Sequence, residues 1–150
     1  MTSTPDLRAD EEAITDVVHA FFAAFVSGPD TATRMDELRA LFVPGAVIVR
    51  TCGSAPVVYD VEGFIAPRQT LLASGDLTDF REWELSGRTD IFGDIAQHWC
   101  TYAKSWSQDG AHTTARGMKT LQLVRTTAGW RISAAAWDDE RDGLTVPVDR

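Results

Sequence analysis

Asparagine does not occur in this sequence of 150 residues, and lysine occurs only as Lys104 and Lys119, against twelve arginines. Such a skew is expected where A/T-rich codons are scarce, and it points to a bacterium with a G+C-rich genome. Cysteine is equally sparse. Cys52 and Cys100 lie far apart and belong to no Cys-x-x-Cys or Cys-x-x-His pair, so a disulfide framework and a zinc knuckle both lack support, and the two read as reduced, buried thiols. Apolar runs are short: Ala20 to Val26 is among the longest, far below the ~20 residues a bilayer demands. The polar start, Met1 to Asp6, lacks a basic region followed by an apolar stretch, which predicts a cytoplasmic protein with no membrane partner. A positive surplus is missing too. With 22 acidic against 14 basic side chains and a net charge of −8, a phosphate backbone is repelled, which argues against nucleic acid as a partner. Neither a Gly-x-Ser-x-Gly elbow, a Gly-x-x-x-x-Gly-Lys loop nor a Gly-x-Gly-x-x-Gly fingerprint is present, and no cofactor is expected.

What remains is the balance of a folded soluble domain, 44% hydrophobic and 24% charged. The expected organisation is a loose arm over residues 1–8, one domain over 9–142 and a tail over 143–150. Apolar residues at Ile14, Val17, Val18, Phe21, Phe22 and Phe25 follow the i, i+3, i+4, i+7 spacing of one helical face, ended by Ser27-Gly28-Pro29. Met35, Leu38, Leu41 and Phe42 predict a second helix from about Thr33 to Leu41, closed by Pro44-Gly45. Val47 to Val49 and Val57 to Tyr59 read as an antiparallel hairpin. Asp60 can cap a third helix to about Ala73, kinked or broken near Pro67. Long strands follow: about Leu77 to Thr89, Ile95 to Ser107, His112 to Arg125 and Trp130 to Asp138, with turns near Gly93, Gly110 and Gly129. The fold class is α+β, a cone-shaped, curved, antiparallel or mixed sheet wrapped around about three N-terminal helices, with Gly87 and Gly117 placed to bend it. A curved sheet closed by helices leaves a concave cavity.

In this order of elements, in Leu41-Phe42-Val43-Pro44-Gly45-Ala46-Val47 at the entry to the first strand, in Gly129-Trp130-Arg131-Ile132 opening the last and in the ending Trp137-Asp138-Asp139-Glu140-Arg141, the chain resembles the nuclear transport factor 2-like superfamily, in particular its SnoaL-like and ketosteroid isomerase-like bacterial members. The resemblance implies a pocket at the open end of a cone and frequent homodimerisation through the outer sheet face. Large residues at Trp83, Trp99, Tyr102 and Trp106 fit a sheet with helices on one face and a partner on the other, or simply a large core. Ketosteroid isomerase-like enzymes use a carboxylate base near the first strand and a tyrosine or protonated acid to hold the enolate. This chain departs from them, with Arg50-Thr51-Cys52-Gly53-Ser54 at the first position and His19 among phenylalanines in the first helix.

The candidate pocket residues are Tyr59, His98, Tyr102, Met118, Trp137 and Asp138, with His98 and Asp138 as candidate catalytic groups. Alternation along one strand puts Ala96, His98, Cys100, Tyr102 and Lys104 on one face, which reads either as a ligand-binding row or as a structural histidine with hydrogen-bonded neighbours. Phe80, Glu82 and Glu84 share a face, and the two carboxylates, ~7 Å apart, form either an acid/base pair or the solvated face of an edge strand. Asp138, Asp139, Glu140 and Asp142 resemble a metal cluster by composition alone, and no metal site is assigned. Met118 and Trp137 are placed by a parity that one bulge would reverse, and His112 reads as a surface residue. The leading functional expectation is a small-molecule binding protein with a largely apolar cavity. The alternatives are an enzyme acting by proton transfer or water addition on a carbonyl compound, and a non-catalytic dimeric association module.

Overall fold

The computed structural model of the chain describes residues 6–147. There are three helices, α1 (Leu7–Ala23), α2 (Thr31–Arg39) and α3 (Val61–Ala73); α2 packs on the other two, and α1 and α3 pack on one sheet. Its strands are β1 (Phe42–Arg50), β2 (Val57–Tyr59), β3 (Thr78–Phe92), β4 (Ile95–Gln108), β5 (Ala111–Thr126) and β6 (Gly129–Asp139). They lie in the order β2-β1-β6-β5-β4-β3. All neighbours are antiparallel except β1 and β6. The sheet is therefore mixed, and it is curved and open, with β2 and β3 at its edges. Of the expected arm, residues 1–5 lie outside the described residues, while Leu7 and Arg8 already belong to α1; residues 148–150 of the expected tail also lie outside.

Helix α1 forms where its apolar spacing predicts. The Asp6 carboxylate caps it by accepting from the backbone N–H groups of Arg8 and Ala9. Ile14, Val17, Val18, Phe21 and Phe22 are buried along one stripe. The helix ends at Ala23, two residues short of Phe25, which is still buried. The loop that follows is tied down on both sides. Ser27 donates its N–H to the Phe80 carbonyl and accepts the Phe80 N–H on its hydroxyl, and the Gly28 N–H reaches the Leu72 carbonyl.

Three elements differ from their sequence expectation. Strand β1 starts at Phe42 and runs through Pro44-Gly45, because a register shift between Phe42 and Val47 absorbs them, with Gly45 at φ +81°. Helix α3 continues through Pro67; one missing N–H bond is outweighed by the burial of Phe64, Ile65 and Leu72 on the flanking turns. Strand β3 carries a bulge between Glu84 and Ser86. Glu84 pairs with Tyr102, but after the bulge Thr89 rather than Arg88 faces His98. Arg88 is thereby turned to the outer face opposite Trp99, and a threonine enters the interior.

The end of the molecule opposite the loop after α1 is closed by one carboxylate. Asp10 accepts two hydrogen bonds of 2.7 Å from Arg125 of β5 and one of 3.2 Å from the Trp130 indole of β6. Arg125 also donates to Asp94 in the β3–β4 turn at 2.8 Å, so a single guanidinium joins the first helix to three strands. The Arg125 hydrogen bonds, against the opposing effect of desolvation, hold the Asp10 carboxyl below its usual 3.8. The native state therefore binds that proton less readily than the unfolded chain, and the stabilisation is present above about pH 3.8 and lost as pH falls through the lower native value. Thermal melts between pH 3 and 7 test this: Asp10→Asn is expected to be less stable than wild type at neutral pH, with the difference shrinking on acidification.

Candidate functional site

Strand alternation divides the sheet into two surfaces, and the pairing register says which side chains share them. His98, Cys100, Tyr102 and Lys104 of β4 lie on the inner face with Lys119 and Leu121 of β5 and with Ala135, Trp137 and Asp139 of β6. Arg50 of β1 pairs with Trp137, and Tyr59 of β2 with Ile48, on the same side. Glu82 and Glu84 of β3 also face inward, opposite Lys104 and Tyr102. The solvated edge-strand reading of these two carboxylates is thus corrected: β3 is an edge strand, but α1 covers the face that carries them.

Beyond α1, the inner face is not filled. A cavity of about 190 Å³ lies between the sheet, α3 and the tied-down loop after α1, walled by Phe25, Phe64, Leu71, Leu72, Phe80 and Trp137. Its polar lining is Arg50, Arg68, Glu82, Lys104 and Lys119. The two lysines of the chain thus open into the same small space.

Lys119 is 5% exposed. Its ammonium nitrogen lies 4.1 Å from the centre of the Tyr102 ring, 4.8 Å from that of Trp137 and 5.7 Å from that of Phe21. The nearest carboxylate oxygen is Glu82 Oε2, at 3.7 Å, beyond hydrogen-bond reach. That oxygen is buried and has no hydrogen-bond partner among the described residues. Desolvation pushes the Lys119 amine below its ordinary value, Glu82 opposes the shift and nearby Lys104 adds to it.

Asp139, Tyr102, Lys104 and Arg68 have partners. Asp139 accepts a short hydrogen bond from the Tyr102 hydroxyl and one of 3.0 Å from Lys104. Burial pushes the Tyr102 phenol up, and the Asp139 hydrogen bond adds to the shift, so the phenol stays protonated. Gly117 is required here, because a Cβ at that position would lie 2.5 Å from the Asp138 carbonyl and 2.9 Å from the Tyr102 ring. The Arg68 guanidinium lies 3.9 Å from the centre of the Phe64 ring and donates to the Phe64 carbonyl at 2.9 Å. It also lies within 5.6 Å of the Tyr59 ring centre and 5.3 Å of that of Trp137.

A second polar cluster sits under α1 and is saturated. His98 uses Nδ1 toward the Thr89 hydroxyl at 2.7 Å and Nε2 in a short hydrogen bond to Glu84. The His98 bond holds the Glu84 carboxyl low, while burial, followed by the Glu84 charge, pushes the Cys100 thiol up to about 12. Donor atoms of Glu84, His98 and Cys100 lie within 4.8 Å of one another and form the group among the described residues that could hold a metal ion. A cation there would have to part the His98–Glu84 hydrogen bond and ionise a strongly protonated thiol.

Of the six residues expected in the pocket, Trp137 lines the cavity, while Tyr102 lies against Lys119 and Tyr59 near Arg68, outside the lining itself. His98 is inward but lies in the second cluster. Met118 and Asp138 pair with each other on the outer face, Met118 taking a hydrogen bond from Thr101 at 3.1 Å and Asp138 binding Arg141; this is a correction of their expected place. Unforeseen were Arg50, Arg68 and Lys119, while Glu82, weighed as an acid/base partner of Glu84, faces Lys119 instead. The signal for Lys119 was present, since it is a single charge alternating with the uncharged Gly117, Leu121 and Leu123.

Removing one member of the buried pair leaves the other uncompensated, whereas replacing both with apolar groups does not. In urea unfolding at pH 7, Lys119→Met alone is expected to lose about 3–5 kcal/mol, and Glu82→Leu/Lys119→Met to match or exceed wild type by about 1–4 kcal/mol. Between the lowered native Lys119 value and 10.5 the unfolded chain holds a proton the native state lacks, so this group makes stability rise with pH in that window. The double variant should lack that contribution.

No family model matches the sequence, and no curated protein does. Solved structures match the fold. An NTF2-like protein with a cystatin-like fold from Novosphingobium aromaticivorans superposes with a TM-score of 0.70 and 19% identity over 92% of this chain and 86% of its own. A protein from Kribbella flavida gives 0.75 and 16% identity over 91% and 94%. A ketosteroid isomerase-like protein from Erwinia carotovora atroseptica gives 0.61 and 14% over 93% and 99%. The chain has the nuclear transport factor 2-like, cystatin-like α+β fold.

Proposed function

We propose that the protein is a small-molecule binding protein whose cavity takes a small organic anion. The observation that carries this reading is a local charge inversion. A chain of net charge −8 gathers Arg50, Arg68, Lys104 and Lys119 around one pocket, with only Glu82 in the lining and Asp139 behind Lys104 to offset them. Low-dielectric walls focus that field on whatever enters. The walls are Phe64, Phe80, Leu72 and Trp137, so the preferred ligand carries a flat or branched apolar body behind its charge. About 190 Å³ is below the ~300–1,000 Å³ common for ligand pockets, which favours a small compound. The enzymatic alternative also has support here: Glu82 and Lys119 are ionisable groups at the cavity with no hydrogen bond between them, free to act on a bound carbonyl compound.

Benzoate supplies a probe of matching size and charge, with benzamide as its neutral counterpart. Benzoate is expected to raise the melting temperature and benzamide to leave it unchanged. Arg68→Met, which keeps the bulk over Phe64 but removes the charge, should weaken benzoate binding by about 10–100-fold, the equivalent of ~1.5–3 kcal/mol for a charged hydrogen bond. Equal shifts from both compounds would refute the anion preference.

The outer face supports the homodimer reading. Trp99 is 50% exposed there, beside a groove of about 350 Å³ lined by Val47, Val49, Gln97, Thr120, Gln122 and three alanines of β6. Knob and groove on one surface are what a two-fold interface needs, because each copy then supplies what the other accepts. Light scattering is expected to give a dimer for wild type and a monomer for Trp99→Glu, and a monomeric wild type would exclude it.

A further inference from the structure

Resting on the reading that the cavity takes a small organic anion, we propose that Lys119 is a nucleophilic amine that forms an imine with a 2-oxo acid bound there. Four observations converge. The amine opens into a closed-in cavity rather than to bulk solvent. Its Nζ is held against aromatic rings and makes no hydrogen bond to a carboxylate, so its lone pair is not committed once the proton leaves. A second amine, Lys104, borders the same space, and a desolvated lysine beside another cation holds its proton less tightly than an ordinary lysine. Finally, the orphaned Glu82 Oε2 lies 3.7 Å from Nζ, close enough to relay protons as the ligand forms its bond.

The chemistry balances without any further reagent. The Nζ lone pair attacks the ketone carbon while Glu82 carries one N–H proton to the carbonyl oxygen, giving a carbinolamine. Glu82 then carries the second N–H proton to the hydroxyl, which departs as water as the C=N bond forms. The ligand's carboxylate meets Arg68 or Lys104, which sets the carbonyl rather than the charged end toward Lys119. A cavity of this size with this lining thus selects carbonyl compounds that carry their anion on the adjacent carbon.

Sodium cyanoborohydride reduces an imine by delivering hydride to its carbon, leaving a permanent secondary amine on the lysine. Only Lys104, Lys119 and the N-terminus offer primary amines, so peptide mapping assigns the adduct cleanly. With pyruvate as the probe at pH 7, folded wild type is expected to acquire one adduct, on Lys119. The adduct should be absent in urea-unfolded protein and suppressed by benzoate. Glu82→Leu/Lys119→Met should show no adduct, and Glu82→Gln should acquire it more slowly at the same lysine. Labelling of Lys104 or the N-terminus alone, or no labelling while benzoate still binds, overturns the imine proposal and spares the anion reading. Labelling of Lys119 by acetone as fast as by pyruvate, untouched by benzoate, keeps the reactive amine and overturns the anion reading. Failure of both pyruvate trapping and benzoate binding removes the two together.

Discussion

A mismatch of lengths governs this molecule. Seventeen residues of α-helix reach about 25 Å, whereas the fifteen extended residues of β3 reach roughly 50 Å. One helix therefore cannot cover the inner face of the long strands, although the apolar stripe from Ile14 to Phe22 must be buried somewhere on it. The Asp10–Arg125–Trp130 junction resolves where. By fixing the start of α1 at one end of the sheet, it leaves the other end uncovered. There α3 and the loop through Phe25 wall a gap above the sheet, and that gap is the cavity. Pocket position is thus a consequence of helix anchoring and needs no separate device.

That geometry decides which buried charges are costly. Near α1, every donor and acceptor of the His98 cluster has a partner, so its burial is a structural investment with the desolvation largely offset. At the cavity the balance is different. Lys119 sits among rings that attract its charge weakly, and Glu82 faces it without a bond. Two apolar residues would serve stability as well or better. A pair kept in this form is best explained by what enters the cavity, because a ligand can supply the contacts that the protein withholds from itself.

The sequence made the helices and the succession of strands along the chain legible because those follow from local periodicity: the stripe on α1 and the Gly93, Gly110 and Gly129 turns needed no tertiary information, whereas the parallel pairing of β1 with β6 had no local signal. It also placed Tyr102, Lys104 and His98 on one face correctly, since β4 is regular along that row. Reading failed where a face had to be assigned rather than a parity. Glu82 and Glu84 alternate as expected, but whether their side is wet depends on which face α1 chooses, and nothing in β3 itself encodes that choice. Met118 and Asp138 were misplaced for the same reason. The bulge after Glu84 was invisible as well, because Leu85 carries no glycine signal and remains 46% exposed; Gly87, where a bend was expected, instead makes room for His98, whose Nε2 would lie 2.7 Å from an added Cβ.

Lys119 teaches a different lesson from the glutamates. A charged residue in an apolar strand row can be explained by a register slip, by an exposed edge or by function, and sequence alone does not choose among them. Its scarcity does narrow the choice. In a chain that uses arginine twelve times and lysine twice, codon bias already favours guanidinium wherever a cation alone is needed. Arginine cannot give up its proton in a protein, so positions that retain lysine against that bias are those where a smaller head group or a removable proton matters. Both lysines opening into the same cavity is the outcome expected if the site depends on an amine, and it ties a compositional oddity of the whole chain to the chemistry of one pocket.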